Sequence, residues 1–340
     1  MGKVIIGVIF GGKSSEYEVS LASCYSVLEN IDKEKYEIVK IGITKEGKWY
    51  LYEGENGNIL NDTWQNGMVK EISADINGGQ FICEEKPLKI HKILPVLHGE
   101  YGEDGRIEAL FEIMNIDYAG CDSFCSFLSM DKDITKKIAK SSHVRVAEGF
   151  TVYRDKIDID KIHRKIKKIG YPVVVKPSNG GSSVGVSIIK SKCEIEKALS
   201  LALSVSRKAL IERKINGKEV EIAVIFRDGV PYFSTIGEIG YTSDFYSYDE
   251  KYKNGKTEYI IPAKISKRTE AKIRKYAKKL VFSLGIKDVS RFDFFVSNFG
   301  VVYFNEVNTM PGFTKISMLP KLLAYDKIEF RDIINYILNI

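Results

Sequence analysis

The chain has 340 residues, enough for two or three domains that bury their own cores without disulfides or structural metals. Hydrophobic residues make up 44% and charged residues 28%, which fits a globular protein and excludes disordered, collagen-like and coiled-coil classes. The formal net charge is only +6, which argues against a dedicated nucleic-acid binder and leaves anionic small molecules as candidate partners.

The cysteine and histidine patterns predict a reduced, cytoplasmic protein. The five cysteines form no Cys-x-x-Cys pair and the four histidines are isolated, so neither a disulfide framework nor a zinc site is expected. The apolar run Val4–Phe10 is far shorter than the roughly 20 residues that span a bilayer. No small-residue cleavage site follows it, so neither a signal peptide nor a membrane partner is predicted.

The first part of the chain has the pattern of a doubly wound α/β domain with a parallel sheet, which we place at 1–122. Val4–Phe10 is typical of a strand buried on both faces, and a glycine turn and a helical pattern follow it. Further strands are expected at 38–43 and 93–97. The polar segment 53–90 between them is interpreted as a peripheral insertion.

Two further units are predicted, a central α+β unit over 123–214 and a C-terminal unit over 215–340. In the central unit, strands at 171–176 and 186–189 flank a Gly/Ser loop, which indicates a hairpin with a mobile tip. In the C-terminal unit, residues 240–260 contain five tyrosines without a clean period. We interpret them as a long functional loop.

Two predicted strands near the C-terminus carry the most informative residues. Ser290–Phe295 and Val301–Asn308 have high β propensity and are joined by an Asn-Phe-Gly turn. Side chains two apart share a face of a strand. The alternation therefore puts two carboxylates, an amide, a guanidinium and two aromatic rings on one face of the hairpin: Arg291, Asp293, Phe295, Phe304, Glu306 and Asn308.

The oxygen-bearing side chains on this face predict a magnesium site. Burying two carboxylates without cations is costly, and the hard oxygens of Asp293, Glu306 and Asn308 suit Mg²⁺. A cross-strand Arg–Asp ion pair is the structural alternative, because such pairs are common in sheets. We favour the metal site, since an ion pair alone does not explain the second acid and the amide. Sites of this kind usually serve phosphates.

Elsewhere the chain supplies parts that suit a nucleotide. Lys176 ends a predicted strand, and the Gly/Ser loop after it has N–H groups and hydroxyls that can wrap phosphate oxygens, although a plain surface hairpin is an equal alternative. Lys132 and Lys251 are further candidate cations, although a lone lysine is usually solvated. Phe295 and Phe304 would suit the walls of an adenine slot, although core packing is the commoner role of phenylalanine.

Seven ordered motifs are spread along nearly the whole chain: Phe10–Ser20, Leu97–Gly105, Ser129–Lys132, Lys176–Gly185, Phe245–Tyr252, Arg291–Asp293 and Asn305–Gly312. Together they resemble the ATP-grasp fold and, within it, the D-alanine–D-alanine ligases of peptidoglycan synthesis. The resemblance implies an α/β protein with the ATP-grasp fold. Its parts would be an N-terminal doubly wound parallel-sheet domain, a central α+β domain and a C-terminal antiparallel-sheet ATP-grasp domain.

The resemblance assigns roles to the metal and nucleotide residues. It implies that Asp293, Glu306 and Asn308 bind two Mg²⁺ or Mn²⁺ ions that bridge the phosphates of ATP. Among the acids, Glu212 and Glu219 match the adenine and ribose contacts, with exposed acids on strands as the alternative. The positions that match the nucleotide site are Lys132, Lys176, Ser183, Glu212, Glu219, Lys251, Phe295 and Phe304.

The resemblance also implies an amino-acid site beside the nucleotide. Glu16, Ser182 and Tyr252 resemble the hydrogen-bonded trio that orients the first D-alanine and fastens the mobile loop. Arg291 and the backbone N–H of Gly312 match the pair that stabilises the oxyanion of the transition state. We expect these five residues to form the catalytic set.

Three further positions match the family on the substrate side. Ser317 and Met318 fall where the carboxylate of the second amino acid is held, and His98 matches a substrate-side histidine. For His98 a purely structural role is the main alternative. The implied reaction joins D-alanine to a second D-amino acid through an acyl phosphate made from ATP. The family is usually dimeric, so a homodimer is expected.

The second substrate stays open between D-alanine and D-serine. The acids Asp249 and Glu250, the opening Glu16–Ser20 and the insertion 53–90 resemble the D-alanyl-D-serine ligases linked to vancomycin resistance. Tyr252 excludes the Lys-His signature of lactate-adding relatives. Because pockets reject one added hydroxyl only about 100-fold, D-alanine is favoured by its frequency among relatives.

Two other functions are weighed against ligation of D-alanine. A different carboxylate–amine ligase of the same fold would keep the metal strands but lose the partners Glu16 and Tyr252. A non-catalytic nucleotide-binding protein would tolerate loss of Asp293 or Glu306, yet both acids are present. We rank both functions below the D-alanine ligase.

Overall fold

The computed structural model describes residues 2–240, 258–314 and 316–339. Most of the segment 240–260 that we interpret as a functional loop therefore lies outside the described residues, and so do the predicted site residues Lys251 and Tyr252. The described chain forms three β-sheets with helices packed against them. Within those ranges, no helix has the length and apolar character needed to cross a membrane.

A seven-stranded sheet forms the N-terminal part of the chain. Its strands are β1 (Val4–Gly11), β2 (Tyr36–Ile43), β3 (Trp49–Tyr52), β4 (Val69–Asp75), β5 (Gln80–Cys83), β6 (Lys86–Leu88) and β7 (Lys92–Pro95). They lie in the order β6-β5-β4-β3-β2-β1-β7. The predicted parallel core is present, because β1 pairs in parallel with both β2 and β7. The segment 53–90 contributes β4 to β6 as antiparallel strands rather than a separate insertion, so the sheet is mixed.

Strand β1 positions the first residues of the site. It lies between two parallel neighbours, and from Ile6 onward its residues are buried, as its continuous apolar run predicts. The strand ends at Gly11, which has φ of 87° and lies so close to Ile43 O that a Cβ would stand 2.1 Å from it. The turn that follows leads to helix α1 (Tyr17–Asn30) and leaves Glu16 at its N-terminus.

The N-terminal part also contains two shorter helices, α2 (Asn56–Leu60) and α3 (Arg106–Ile113), and a 3₁₀ turn at Trp64–Asn66. The side chain of Trp64 is fully buried and packs edge-on against Phe10 and Tyr52. Gly42 on β2 lies under this indole ring. The ring of Trp64 therefore covers the inner strands β1, β2 and β3 of the sheet.

A four-stranded antiparallel sheet follows in the chain. Its strands are β8 (Gly149–Tyr153), β9 (Val173–Pro177), β10 (Ser187–Ile189) and β11 (Lys208–Arg213), in the order β10-β9-β11-β8. Helices α6 (Ile159–Ile169) and α7 (Ile195–Val205) pack against this sheet, whereas α4 (Ser123–Met130) and α5 (Lys132–Ser141) pack mainly against the third sheet and its helix. The predicted Gly/Ser hairpin is confirmed, because β9 and β10 pair antiparallel.

Helices α4 and α5 meet at Asp131. Its carboxylate accepts the backbone N–H groups of Asp133 and Ile134 at 3.1 and 3.2 Å, which caps α5. Its other oxygen forms an ion pair with Lys208 on β11. The cap therefore fixes the start of α5, where Lys132 lies, against the central sheet.

The third sheet has five antiparallel strands in the order β14-β13-β12-β15-β16. They are β12 (Gly217–Arg227), β13 (Val230–Gly240), β14 (Glu258–Ile260), β15 (Val289–Ser297) and β16 (Val302–Asn308). Helices α8 (Lys267–Leu284), α9 (Met318–Tyr325) and α10 (Phe330–Leu338) complete the described chain. A buried cluster between the sheet and α8 includes Phe292, Phe294 and Leu280.

A β-bulge at Asn305 changes one prediction about the hairpin β15–β16. Asp293 pairs with Glu306, but the next pair is Phe294 with Phe304, so Asn305 is an extra residue on β16. Strict alternation predicted that Phe304 and Glu306 share a face. The bulge puts them on opposite faces. Phe304 lies on the core side, is 1% exposed, and packs against Phe294 with ring centroids 5.7 Å apart.

Candidate active site

Two adjoining clefts lie where the three sheets meet. The larger cleft, of about 1030 Å³, lies between the central and C-terminal sheets, and lysines, glutamates and the Gly/Ser loop line it. The smaller cleft, of about 700 Å³, is lined by residues that lie on or beside each of the three sheets, among them Glu16, His98 and Arg291. Lys132, Gly180–Ser182 and Glu306 line both clefts, so the two clefts adjoin along these residues.

A buried ion cluster forms one wall of the larger cleft. Glu212 on β11 is 5% exposed, so the alternative of an exposed acid does not apply to it. Its two carboxylate oxygens lie 2.5 and 2.7 Å from Lys136 Nζ, and one lies 3.0 Å from Lys176 Nζ. Burial alone would raise the pKa of Glu212, but the two ammonium groups outweigh it and lower the pKa to about 2. Glu212 is therefore ionised at any physiological pH.

Lys176 connects this wall to the acid-bearing hairpin. Its Nζ donates a hydrogen bond of 3.0 Å to Oδ1 of Asn305, the extra residue of the bulge. Burial opposes the charged form, but the nearby carboxylates Glu212 and Glu306 prevail and raise the pKa of Lys176. The lysine is a fixed cation, suited to hold an anion that enters the cleft.

Lys132 lies at the junction of the two clefts. Its Nζ is 3.2 Å from Glu306 Oε2 and donates a hydrogen bond of 2.7 Å to the carbonyl of Gly180. The side chain thus bridges the Gly/Ser loop and strand β16. Glu219 and the half-buried Phe295 also line the larger cleft, and the ring of Phe304 contributes to its wall from the core side.

The predicted metal ligands lie together at the end of the hairpin. Asp293 and Glu306 are directly paired residues of β15 and β16, and Asn308 Nδ2 donates to Asp293 Oδ2 at 3.2 Å. Two carboxylates and an amide oxygen are the hard donors that Mg²⁺ prefers, so this donor set fits the ion. Among the described residues, no group of three or more His, Cys, Asp or Glu side chains could hold a metal. The set here differs because its third donor is an amide.

The alternative for Asp293, an ion pair with Arg291, is also present. Arg291 Nε and Nη2 each donate to one carboxylate oxygen of Asp293 at 2.8 Å. The pair forms between residues two apart on β15, and not across strands. Asp293 is 2% exposed, so the guanidinium neutralises a carboxylate that would otherwise be buried without a cation.

The predicted amino-acid site brings together Glu16 and Ser182, which are 166 positions apart in the chain. The hydroxyl of Ser182 donates a hydrogen bond to Glu16 Oε1. Two glycines make room for this carboxylate, because a Cβ on Gly99 or on Gly181 would stand 2.6 Å from Glu16 Oε2. The third predicted member of the trio, Tyr252, lies outside the described residues.

The Gly/Ser loop holds two serines in an unusual conformation. Ser182 and Ser183 have φ of 49° and 62°, the left-handed region that costs a non-glycine residue energy. Both residues line the larger cleft, and Ser182 also lines the smaller one. This backbone turns Ser182 toward Glu16.

His98 and Glu103 are buried behind the smaller cleft. His98 Nδ1 lies 3.0 Å from the carbonyl of Met310, and Nε2 lies 2.9 Å from Ser23 Oγ. A carbonyl only accepts, so Nδ1 carries the proton and Nε2 accepts from Ser23 in the neutral ring. Burial lowers the pKa of His98 and favours that neutral form. Both ring nitrogens have partners within the fold, which supports a structural role beside the predicted substrate-side role.

Glu103 follows the same loop and was not singled out from the sequence. It accepts the backbone N–H groups of Gly99 at 2.8 Å and Met310 at 3.2 Å. Burial and the nearby Glu16 raise the pKa of Glu103 to about 8. The residue therefore holds two loops of the smaller cleft together, mainly in its protonated form at neutral pH.

Three predicted residues lie at the start of α9. Gly312 lines the smaller cleft, whereas Ser317 and Met318 do not line either cleft. Ser317 Oγ lies 2.7 Å from Thr314 Oγ1, and a Cβ on Gly312 would stand 2.8 Å from the same oxygen. Met318 is buried against Gly237, so its predicted role in holding a carboxylate stays a prediction.

Several residues of the site were missed in the sequence. Lys136 follows Lys132 by one helical turn, and this spacing could have placed both lysines near one face of α5. Glu103 lies within the quoted motif Leu97–Gly105. Asn305 also lies in a quoted motif, but a bulge leaves no signal in an alternating pattern.

The lysine-walled cleft between two antiparallel sheets, with paired acids on the hairpin at its floor, defines an ATP-grasp protein. The family description "D-ala D-ala ligase N-terminus" matches residues 5–121, and "D-ala D-ala ligase C-terminus" matches residues 138–339. The chain therefore belongs to the D-alanine–D-alanine ligase family, a family of enzymes.

Relatives and solved structures agree with this assignment over the whole chain. A D-alanine–D-alanine ligase of Thermoanaerobacter sp. (strain X514) is 40% identical over 348 aligned positions, which cover 100% of this chain and 97% of the relative. The crystal structure of the VanG D-Ala:D-Ser ligase from Enterococcus faecalis has a TM-score of 0.91 at 35% identity and covers 99% of both chains. The D-alanine–D-alanine ligase from Coxiella burnetii has a TM-score of 0.89 at 26% identity and covers 100% of this chain and 94% of that one.

Proposed function

We propose that the protein catalyses the ATP-dependent ligation of D-alanine to a second D-amino acid for peptidoglycan precursors. The observation that carries this proposal is that the two clefts adjoin and share Lys132, Gly180–Ser182 and Glu306 as lining residues. A nucleotide in the lysine-walled cleft and an amino acid beside Glu16 would meet at this junction. The relatives named D-alanine–D-alanine ligase support the choice of substrates.

ATP and Mg²⁺ or Mn²⁺ are the proposed cofactors. Lys132 and Lys176 would bind the phosphates, because both ammonium groups are held in the cleft by hydrogen bonds. Asp293, Glu306 and Asn308 would hold the divalent cations, which when bound neutralise charge on the phosphates. The other proposed nucleotide contacts follow the family pattern at Ser183, Glu212, Glu219, Lys251, Phe295 and Phe304.

In the first step, a carboxylate oxygen of D-alanine attacks the γ-phosphorus of ATP, and ADP leaves with the bridging oxygen. Glu16 and Ser182, already joined by a hydrogen bond, would orient this substrate together with Tyr252. The carboxylate of Glu16 is suited to the ammonium group of an amino acid. Fixing the substrate in this way supplies catalysis by orientation.

In the second step, the free amine of the second amino acid attacks the acyl carbon, and the C–O bond to phosphate breaks. Negative charge develops on the tetrahedral oxygen, which Arg291 and the N–H of Gly312 would stabilise. Both residues line the smaller cleft. Removal of one such donor costs about 2.7–4 kcal/mol in the barrier. His98, Ser317 and Met318 are the proposed substrate-side residues.

D-serine is the alternative second substrate. The specific observation in its favour is the 0.91 TM-score with the VanG D-Ala:D-Ser ligase. D-alanine is favoured because relatives at 40% and 41% identity that match the full length of this chain are named D-alanine–D-alanine ligases.

We also propose that the protein is a cytoplasmic homodimer. The five cysteines, all within the described ranges, are free thiols, which fits a reducing compartment. Adjacent helices α3 and α4 expose Ile113 and Phe124 by 66% and 71%, and such apolar residues suit a second copy of the chain. Light scattering coupled to size exclusion measures the predicted twofold mass.

Product analysis tests the proposed function. Purified protein is incubated with ATP, Mg²⁺ and D-alanine, with or without an equal concentration of D-serine, and dipeptides and ADP are quantified by mass spectrometry. We expect D-alanyl-D-alanine with stoichiometric ADP, and no product from Glu306→Ala. The control Glu270→Ala removes a surface glutamate on α8 that pairs with Arg274, so it should keep full activity.

The two substrates give distinct outcomes in this assay. If D-alanyl-D-serine dominates at equal substrate concentrations, the protein is a D-alanine–D-serine ligase. If neither dipeptide nor ADP forms, the proposed function is wrong.

A further inference from the structure

A third carboxylate continues the row of acids in the C-terminal sheet. Glu221 on β12 pairs directly with Asp293 on β15, which pairs in turn with Glu306 on β16. The three carboxylates therefore lie in one row across three neighbouring strands. Glu221 is only 3% exposed, so its charge is buried behind the two proposed metal ligands.

Arg291 lies between two of these carboxylates. Its Nε donates to Asp293 Oδ1 at 2.8 Å and lies 3.0 Å from Glu221 Oε2. Its Nη2 donates to the other oxygen of Asp293. The guanidinium side chain is 16% exposed, so the two acids hold it with little screening by water.

The two acids cannot serve Arg291 in the same way during the proposed reaction. A cation bound to Asp293 draws charge from its carboxylate, which weakens the hydrogen bonds that its oxygens accept from Arg291. Glu221 is not a proposed metal ligand, so its carboxylate remains available to the guanidinium. A buried acid with no cation would be costly, which makes the contact with Arg291 persistent.

We infer that Glu221 is a positioning residue that holds Arg291 in the cleft when Asp293 serves as a metal ligand. The inference rests on the proposed function, in which Arg291 stabilises the tetrahedral oxygen. It adds a role for an acid that touches neither substrate nor cation. Loss of Glu221 would remove one of the two acids that pair with Arg291 and make the arginine depend more on Asp293, which sets the arginine and the metal in competition for that carboxylate.

The substitution Glu221→Gln tests this role, because it removes the charge and keeps the shape. We expect kcat to fall about 10–100-fold, the range found for residues that orient catalytic groups. The KM for ATP should change by less than about twofold, because the contacts of Lys132 and Lys176 are intact. Mn²⁺ binding to the free protein, followed by electron paramagnetic resonance, should weaken several-fold.

A matched control separates positioning from general stability. Glu238→Gln neutralises another buried glutamate of the same sheet, which pairs with Lys218 at 2.8 Å, away from the cleft. This variant should keep the kcat and the Mn²⁺ affinity of the wild type. If Glu221→Gln does not fold by circular dichroism, Glu221→Asp retains the charge with a shorter reach and should show a smaller fall in kcat.

The outcomes distinguish this inference from the proposed function. If the wild type is active and Glu221→Gln, or Glu221→Asp in its place, matches it in kcat and Mn²⁺ affinity, Glu221 has no positioning role. If the wild type forms no dipeptide, the proposed function fails. The Mn²⁺ titration then still decides whether Arg291 and the metal compete for Asp293 once Glu221 is neutralised.

Discussion

Gly181→Ala is a steric test of the amino-acid site. Gly181 does not have a positive φ, so alanine fits its backbone and the substitution acts through the added methyl group alone. That methyl would stand 2.6 Å from Glu16 Oε2, and ordinary contact begins at 3.4 Å. The carboxylate or the loop must therefore move by about 0.8 Å, which breaks or lengthens the hydrogen bond from Ser182 to Glu16.

The expected effect follows from the size of this displacement. A shift of about 1 Å in a positioning group costs about 100-fold in rate. We expect kcat/KM for D-alanine to fall by about 10–100-fold, while the KM for ATP stays within about threefold. Steady-state kinetics with a coupled ADP assay measures both. Gly57→Ala is the matched control, because no atom lies within 4 Å of its added methyl.

One result would refute the steric argument. If Gly181→Ala is folded and has the kcat/KM of the wild type for D-alanine, Glu16 does not need its present position to bind the substrate. If Gly181→Ala loses activity but melts at the same temperature as Gly57→Ala, unfolding is excluded as the cause.

Three further predictions concern stability. Lys136→Met removes one of the two ammonium groups beside Glu212 and leaves Lys176 in place, so urea unfolding at pH 7 should show a loss of about 1–3 kcal/mol. In the wild type this contribution is present above pH 4.5 and is lost as the pH falls toward 2, because the folded pKa of Glu212 is the lower one. Glu108→Gln should stabilise the protein at pH 8.5 and not at pH 4.0, because burial raises the pKa of Glu108 from 4.5 to about 8. The folded state then holds a proton that the unfolded state releases, and each pKa unit is worth about 1.4 kcal/mol. Gly42→Ala should lower stability by about 1–3 kcal/mol in thermal unfolding, because its methyl would stand 2.4 Å from the Trp64 ring.

Each of these predictions has a result that contradicts it. Lys136→Arg keeps a cation and should lose less than the methionine variant; equal losses would mean that packing, and not charge, accounts for the effect. A Glu108→Gln variant whose urea midpoint differs from the wild type equally at both pH values would show that ionisation of Glu108 is not the cause. A Gly42→Ala protein as stable as the wild type would mean that the indole moves freely.

The local pattern of the chain predicts those elements whose residues satisfy one simple periodicity. Strand β1 is an unbroken apolar run and lies between two parallel partners, as expected. The hairpin β9–β10 follows from two short runs around a Gly/Ser loop. The segment 53–90 was harder to interpret, because its edge strands are half exposed and their polar residues resemble those of a loop.

The acids of the site could be predicted from the sequence, but the contacts between its side chains could not. Asp293 and Glu306 share a row because alternation holds up to that pair. The ion cluster of Glu212 with Lys136 and Lys176 joins three elements, and no spacing in the chain brings them together. Such contacts depend on how the sheets pack, and the periodicity of side chains along one strand does not predict that packing.

The bulge at Asn305 separates what the hairpin needs for folding from what it needs for binding. Without that one residue, Phe304 and Glu306 would become neighbours, and the strand would alternate between interior and cleft with no interruption. Every remaining side chain would keep its side of the sheet. Lys176 would lose its hydrogen bond to Asn305 and keep its ion pair with Glu212. A strand without Asn305 would alternate more regularly, but it would hold Lys176, and through Lys176 a phosphate, less firmly. The hydrogen bond to the Lys176 ammonium group therefore explains the irregular residue.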